Sequence, residues 1–207
     1  MKIHPHSKLL FIGDSITDCG RWYSKNSLGD GYVNLIDVFM QGDYQHLSIK
    51  VVNKGISGDT IRDLENRWER DVLAESPDWL SIMIGINDIW QQLDVWTPRK
   101  KKIFIAEYER ILDALIASTV SSLKGLVLMT PYYLQLDKSD PMRAKRDSFS
   151  GVVQKLAKRH EAIFVDTQVP FDDILRAKDL ADFSTDRVHI NFAGHKILAE
   201  AFLNAVK

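Results

Sequence analysis

Four separated segments combine nucleophilic, basic and hydrogen-bonding side chains in a pattern suited to acyl transfer. They are Gly13-Asp14-Ser15, Gly55-Ile56-Ser57-Gly58-Asp59-Thr60, Gly85-Ile86-Asn87-Asp88 and Asp186-Arg187-Val188-His189. A serine hydroxyl attacks poorly unless a base removes its proton, and a histidine titrating near neutrality suits that task. Ser15 is therefore the candidate nucleophile and His189 its base. Asp186, three residues before His189, can face the same way and orient the imidazole if the segment makes a helical turn. Attack on an ester carbonyl creates an oxyanion, which needs donors set in advance. The backbone N–H groups of Ser15 and Gly58 and the side-chain amide of Asn87 are the candidates, and glycine at 58 also admits close approach of a substrate.

Each segment has an ordinary structural reading as well. Taken alone, Asp14-Ser15 reads first as the cap of a following helix. Asn87-Asp88 reads equally as a turn, Gly58-Asp59-Thr60 as a loop-to-helix junction, and Asp186 with His189 as a surface pair. Their joint occurrence at suitable places in one architecture is what points to chemistry.

That architecture is an α/β fold. Apolar runs too short for typical helices occur at Leu9 to Ile12, Ile49 to Asn53, Trp79 to Ile84, Gly125 to Met129 and Ala162 to Val165. Between and after them, Tyr32 to Met40, Arg62 to Leu73, Ile103 to Ser118, Arg143 to Lys158 and Ala193 to Val206 carry apolar residues at helical steps. The alternation predicts five parallel strands joined by crossover helices. Ligands of such sheets bind beyond the carboxyl ends of the strands. Ser15, Gly58 and Asn87 follow the first three runs, so they should meet at one rim. Thr97-Pro98 suits a helix cap, and Arg99-Lys100-Lys101-Lys102 reads as a solvated helix face.

The bulk composition removes several function classes. Lys+Arg 27 against Asp+Glu 28 leaves a net charge of -1, so no strong field favours nucleic acid or an anionic membrane. A single cysteine, Cys19, supports neither a disulfide framework nor a multi-cysteine metal site and reads as a small side chain beside the first loop. No apolar run reaches transmembrane length, and the first residues lack a signal-peptide core, so a cytoplasmic protein is expected. Without a linker or repeat, residues 1–207 are expected to form a single domain. The motifs of α/β-hydrolase elbows, phosphate loops, dinucleotide sites and zincins are absent from the sequence. His195, inside the last predicted helix, reads as a hydrogen-bonded structural residue, and no metal or cofactor is required.

The four segments resemble the sequence blocks of the SGNH hydrolases, also called GDSL esterases. The resemblance implies a three-layer α/β/α flavodoxin-like fold with a central parallel five-stranded sheet. It implies catalytic roles for Ser15, Asp186 and His189, with Ser15, Gly58 and Asn87 forming the oxyanion hole. Val51 to Gly58, Ser81 to Asp88 and Met129 to Tyr133 are most similar to intracellular bacterial carbohydrate acetylesterases, including xylan-oligosaccharide deacetylases. The chain departs from the family pattern at Ile16, where leucine is usual, and at Ile190, where proline is common. Both flank triad residues and bear on loop shape and substrate fit.

A small-molecule ester, an acetylated oligosaccharide, is thus the expected partner, and homo-oligomer formation is left open by the sequence. Trp22 and Trp90 follow the first and third blocks, where an aromatic ring can stack on a sugar or wall an acyl pocket. Tyr132 and Tyr133 after the fourth strand are similar candidates, whereas Trp68 and Trp79 read as packing residues. A lipid-directed esterase or thioesterase would share the same triad, and a catalytically silent binding module would share the rim.

Overall fold

Five short apolar runs pair in parallel in the computed structural model, which describes residues 1–93 and 102–207. β1 (Lys8–Gly13) has β2 (Lys50–Gly55) on one side and β3 (Trp79–Met83) on the other. β4 (Gly125–Met129) and β5 (Ile163–Val165) follow, so the strand order is β2-β1-β3-β4-β5. β3 is buried along its whole length, as a central strand covered on both faces must be.

The helices are α1 (Ser15–Asp18), α2 (Tyr32–Gly42), α3 (Ile61–Trp68), α4 (Ile86–Leu93), α5 (Ile105–Ala117), α6 (Pro141–Arg159), α7 (Gln168–Leu175) and α8 (Phe192–Val206). α2 buries Tyr32, Val33, Ile36 and Met40 and packs on α8, which buries Leu198, Phe202 and Val206. α3, α5 and α6 pack in series as the other layer. Asp140 starts α6 by accepting from the N–H groups of Met142 and Arg143, with Pro141 in the first turn, where its missing N–H costs nothing. α3 runs on into a wider π-type turn, Glu69–Leu73, so the single predicted helix over 62–73 is two segments.

The resulting three-layer sandwich is the flavodoxin-like arrangement. Gly13 lies in register with Gly55 of β2 and Met83 of β3, so the carboxyl ends of these strands finish level. The order of winding reverses beside β1, which opens a crevice at that edge. Trp68 is buried and donates its indole N–H to the Thr119 hydroxyl, and Trp79 packs over Gly125, so both are core residues. Among the described residues, no helix is long and apolar enough to cross a membrane. Thr97-Pro98 and Arg99 to Lys101 lie outside the described residues; Lys102 is exposed.

Candidate active site

The crevice brings the four segments together. Asp14, just beyond β1, caps α1 by accepting from the Ile16 N–H at 3.0 Å, so capping and presentation of Ser15 are parts of one turn. Ser15 Oγ lies 3.1 Å from His189 Nε2, and His189 Nδ1 lies 2.6 Å from Asp186 Oδ2. An ionised Asp186 keeps the ring proton on Nδ1, which leaves Nε2 to accept from the serine hydroxyl.

The loop carrying this pair differs from the helical turn on which the spacing argument relied. Residues 186–189 form bends, with Arg187 in the left-handed region at φ 70. Asp186 Oδ1 instead accepts from the N–H groups of Val188 at 3.0 Å and His189 at 2.7 Å, and from Ser184 Oγ at 3.2 Å. Partial burial pushes the Asp186 carboxyl up, but the hydrogen bonds from the His189 ring and the two backbone N–H groups outweigh it and hold it at about 2. The loop is pinned from the β4 side. Tyr132, 2% exposed, donates its hydroxyl to the Val188 carbonyl at 2.7 Å, and the Leu134 N–H donates to the Arg187 carbonyl. Tyr132 therefore supports the histidine loop from below.

Asn87 stands in the first turn of α4, and its Nδ2 donates to the Asp59 carbonyl at 2.9 Å. An amide nitrogen carries two N–H groups, so a second remains for a ligand. Gly58 adopts φ +85, a conformation that strains any residue with a Cβ. Two buried carboxyls, Asp14 and Asp88, adjoin Ser15 and Asn87 in the chain. Burial lifts Asp14 to about 7, and burial likewise lifts Asp88, which accepts from the Ile61 N–H at 3.0 Å, to about 7.

Ser15, Gly58, Asn87 and His189 border one open cleft of about 400 Å³, with Ile16 and Ile190 as apolar walls. Ile16 and Ile190, the two departures from the family pattern, thus face the space a substrate would enter. Trp90 sets its ring 6.3 Å from that of His189, tilted by 45°. Tyr133 is half-buried outside the cleft wall, and its backbone N–H and carbonyl are both taken by the Gln168 side chain. Trp22 is exposed, with the Arg21 guanidinium 3.9 Å from its ring centroid.

Two wall residues carried no functional signal in the sequence. Cys19 Sγ lies 3.3 Å from His195 Nε2, and both border the cleft. His195 Nδ1 accepts from the Tyr32 N–H, so Nε2 carries the proton toward sulfur. Burial lowers the His195 imidazole to about 4, which keeps it neutral. Its structural role agrees with the sequence reading; only its place in the wall was hidden.

A hydroxyl, imidazole and carboxylate in series at an open cleft is the arrangement of a serine hydrolase. Comparison with known proteins narrows this class. Residues 11–197 match the GDSL-like lipase/acylhydrolase family. Over the whole chain, the sequence is 48% identical to an acetylxylan esterase of Geobacillus stearothermophilus, 96% of which is covered. The crystal structure of an acetylxylan esterase from that organism, Axe2, superposes with a TM-score of 0.95 at 48% identity, covering 100% of this chain and 96% of that one. An α/β hydrolase enzyme from the metagenome of Lake Arreo, Spain, superposes at 0.96 with 40% identity, covering 100% and 97%. Solved relatives include catalytic mutants of Axe2 in which a serine, an aspartate or a histidine is replaced by alanine. The chain belongs to the GDSL-like lipase/acylhydrolase family and is a carboxylic ester hydrolase.

Proposed function

We propose that this protein removes acetyl groups from carbohydrate hydroxyls, with acetylated xylo-oligosaccharides as its substrates, and that Ser15, His189 and Asp186 carry the reaction. The observation that supports it most is the unbroken chain of contacts from Asp186 Oδ2 through His189 to Ser15 Oγ at an open cleft. The likeness to acetylxylan esterases supports the choice of acyl group and sugar.

In the first half-reaction, Ser15 Oγ attacks the acetyl carbonyl carbon while its proton passes to His189 Nε2. The carbonyl oxygen becomes an oxyanion held by the N–H groups of Ser15 and Gly58 and the Asn87 amide. Collapse breaks the bond to the sugar oxygen, which takes the proton back from His189 and leaves an acetyl-serine. Water then repeats the sequence, delivering its proton to His189, and acetate departs as Ser15 recovers its hydrogen. Asp186 stays ionised and balances the imidazolium. Every group this sequence uses belongs to the protein, its substrate or water. Trp90, beside His189, is suited to flank the sugar or acetyl group. We place the protein in the cytoplasm, where its lone free cysteine is at home.

Mass spectrometry of acetylated xylo-oligosaccharides after incubation is expected to reveal stepwise loss of acetyl groups with the wild type. Ser15→Ala and His189→Ala are expected to leave the substrate unchanged at equal enzyme concentration while keeping the native circular dichroism. Undiminished deacetylation by either folded variant defeats the assignment. A preference for octanoyl over acetyl nitrophenyl esters would favour a lipid-directed enzyme instead.

A further inference from the structure

The Arg67 side chain is 6% exposed, yet it touches none of the proposed reacting atoms. Its guanidinium reaches instead two of the chain segments that supply the proposed oxyanion donors, and the third, at Asn87, is joined to it through Asp59. Nη2 donates to the Gly13 carbonyl at 3.0 Å, two residues before Ser15. Nε donates to the Asp59 carboxylate at 2.6 Å, on the residue that follows Gly58. The carbonyl of that same Asp59 accepts from Asn87 Nδ2. Nη1 donates to the Lys54 carbonyl at 2.7 Å near the end of β2 and to Asp71 at 3.0 Å, which anchors the fork from the far side.

Three separate loops must hold their N–H groups on one oxygen within a fraction of an ångström, and a loop's own hydrogen bonds cannot set its distance from another loop. A planar guanidinium with donors in fixed directions can do so, because each contact it makes is referred to the others. We propose that Arg67 is a positioning residue for the oxyanion cradle, clamping the ends of β1 and β2 and the Gly58–Asp59 segment in one frame. This rests on the reading of Ser15, Gly58 and Asn87 as the oxyanion donors. A buried ion pair that served stability alone would leave catalysis in folded protein untouched.

Lysine in place of Arg67 keeps the charge but gathers its three N–H groups on one freely rotating nitrogen, so it cannot hold Gly13, Lys54 and Asp59 in the fixed frame that three guanidinium nitrogens provide. Steady-state kinetics on nitrophenyl acetate would compare wild type, Arg67→Lys, Asn87→Ala and the double variant, each checked for native circular dichroism. Arg67→Lys is expected to lower kcat about 10- to 100-fold with KM within about threefold, since misplacement of roughly 1 Å can cost that much. The double variant is expected to fall no more than about threefold below the weaker single variant, because both changes damage the same cradle. An unchanged kcat in folded Arg67→Lys, or losses that simply multiply, overturns the clamp. A loss under about threefold in Asn87→Ala itself overturns the oxyanion reading on which the clamp rests. If Arg67→Lys does not fold, Asp59→Asn decides by the same cycle. It keeps the carbonyl that binds Asn87, and a loss of about 3- to 10-fold, again non-multiplicative with Asn87→Ala, is expected; no loss overturns the proposal.

Discussion

Asp186 divides its two oxygens between two tasks. Oδ2 faces the His189 ring, while Oδ1 gathers the N–H groups of Val188 and His189 and so builds the loop that carries the ring. Substitution by asparagine separates these tasks. An amide keeps an oxygen for the backbone, but its NH₂ toward Nδ1 favours the tautomer in which Nε2 holds the proton and cannot accept one from Ser15. Asp186→Asn is expected to lower kcat on nitrophenyl acetate by roughly 10⁴-fold with an unaltered circular dichroism spectrum. A loss below about tenfold would mean that the carboxylate does not set the tautomer. At this scale the side chains that meet at the cleft were legible in the sequence, because acyl transfer admits few combinations of residue types. Partners such as Ser184, Tyr132 and Arg67 were not, since a hydroxyl or a guanidinium becomes a support only through what lies against it.

α1 has four residues and no stability of its own, yet it begins with Ser15, the proposed nucleophile. Its position comes from neighbours. Asn53 Nδ2 donates to the Thr17 carbonyl at 2.6 Å, and Asp18 Oδ2 accepts from Ser57 Oγ at 2.7 Å, which ties α1 to the Gly58 loop. Gly55 lets β2 pass directly beneath it, for a Cβ there would fall on the backbone of Thr17 and Asp18. Those atoms cannot rotate away as a flexible side chain would. Gly55→Ala is therefore expected to destabilise by about 1–3 kcal/mol or more, in the range of overpacked cores. It should also reduce turnover by more than about tenfold as α1 shifts, read from urea midpoints and nitrophenyl acetate kinetics; wild-type values in both would remove this close approach from the account. The five strands and the longer helices were legible because their apolar periods extend over enough residues. α1, α4 and α7 were not, as four to eight residues hardly complete two turns and tertiary contacts decide their conformation.

One continuous apolar core runs from Ile3 to Val206, and we infer a single cooperative domain. Asp14 and Asp88 lie at its rim as buried carboxyls held at about 7, against an ordinary value of 3.8. Each binds its proton more tightly in the folded chain, so its contribution to stability is complete below about pH 4 and is lost as pH rises through about 7. His195, lowered to about 4, acts in the opposite sense over much of that window, so the difference between variants is the informative quantity. Urea unfolding of the wild type, followed by tryptophan fluorescence and circular dichroism, is expected to give coincident transitions. Asp88→Asn, whose amide oxygen can still accept from the Ile61 N–H, is expected to gain stability relative to wild type between pH 5 and pH 8. Equal pH dependence in the two proteins would remove Asp88 from the titration. By itself the sequence determined the alternation of strands and helices and which polar side chains stand at the strand exits, since both depend on local order and residue type. Only the tertiary structure decided the level strand ends, the bent Asp186–His189 loop, the cleft wall and the Arg67 fork. These depend on distances between segments far apart in the chain, and such distances exist only once the core has packed.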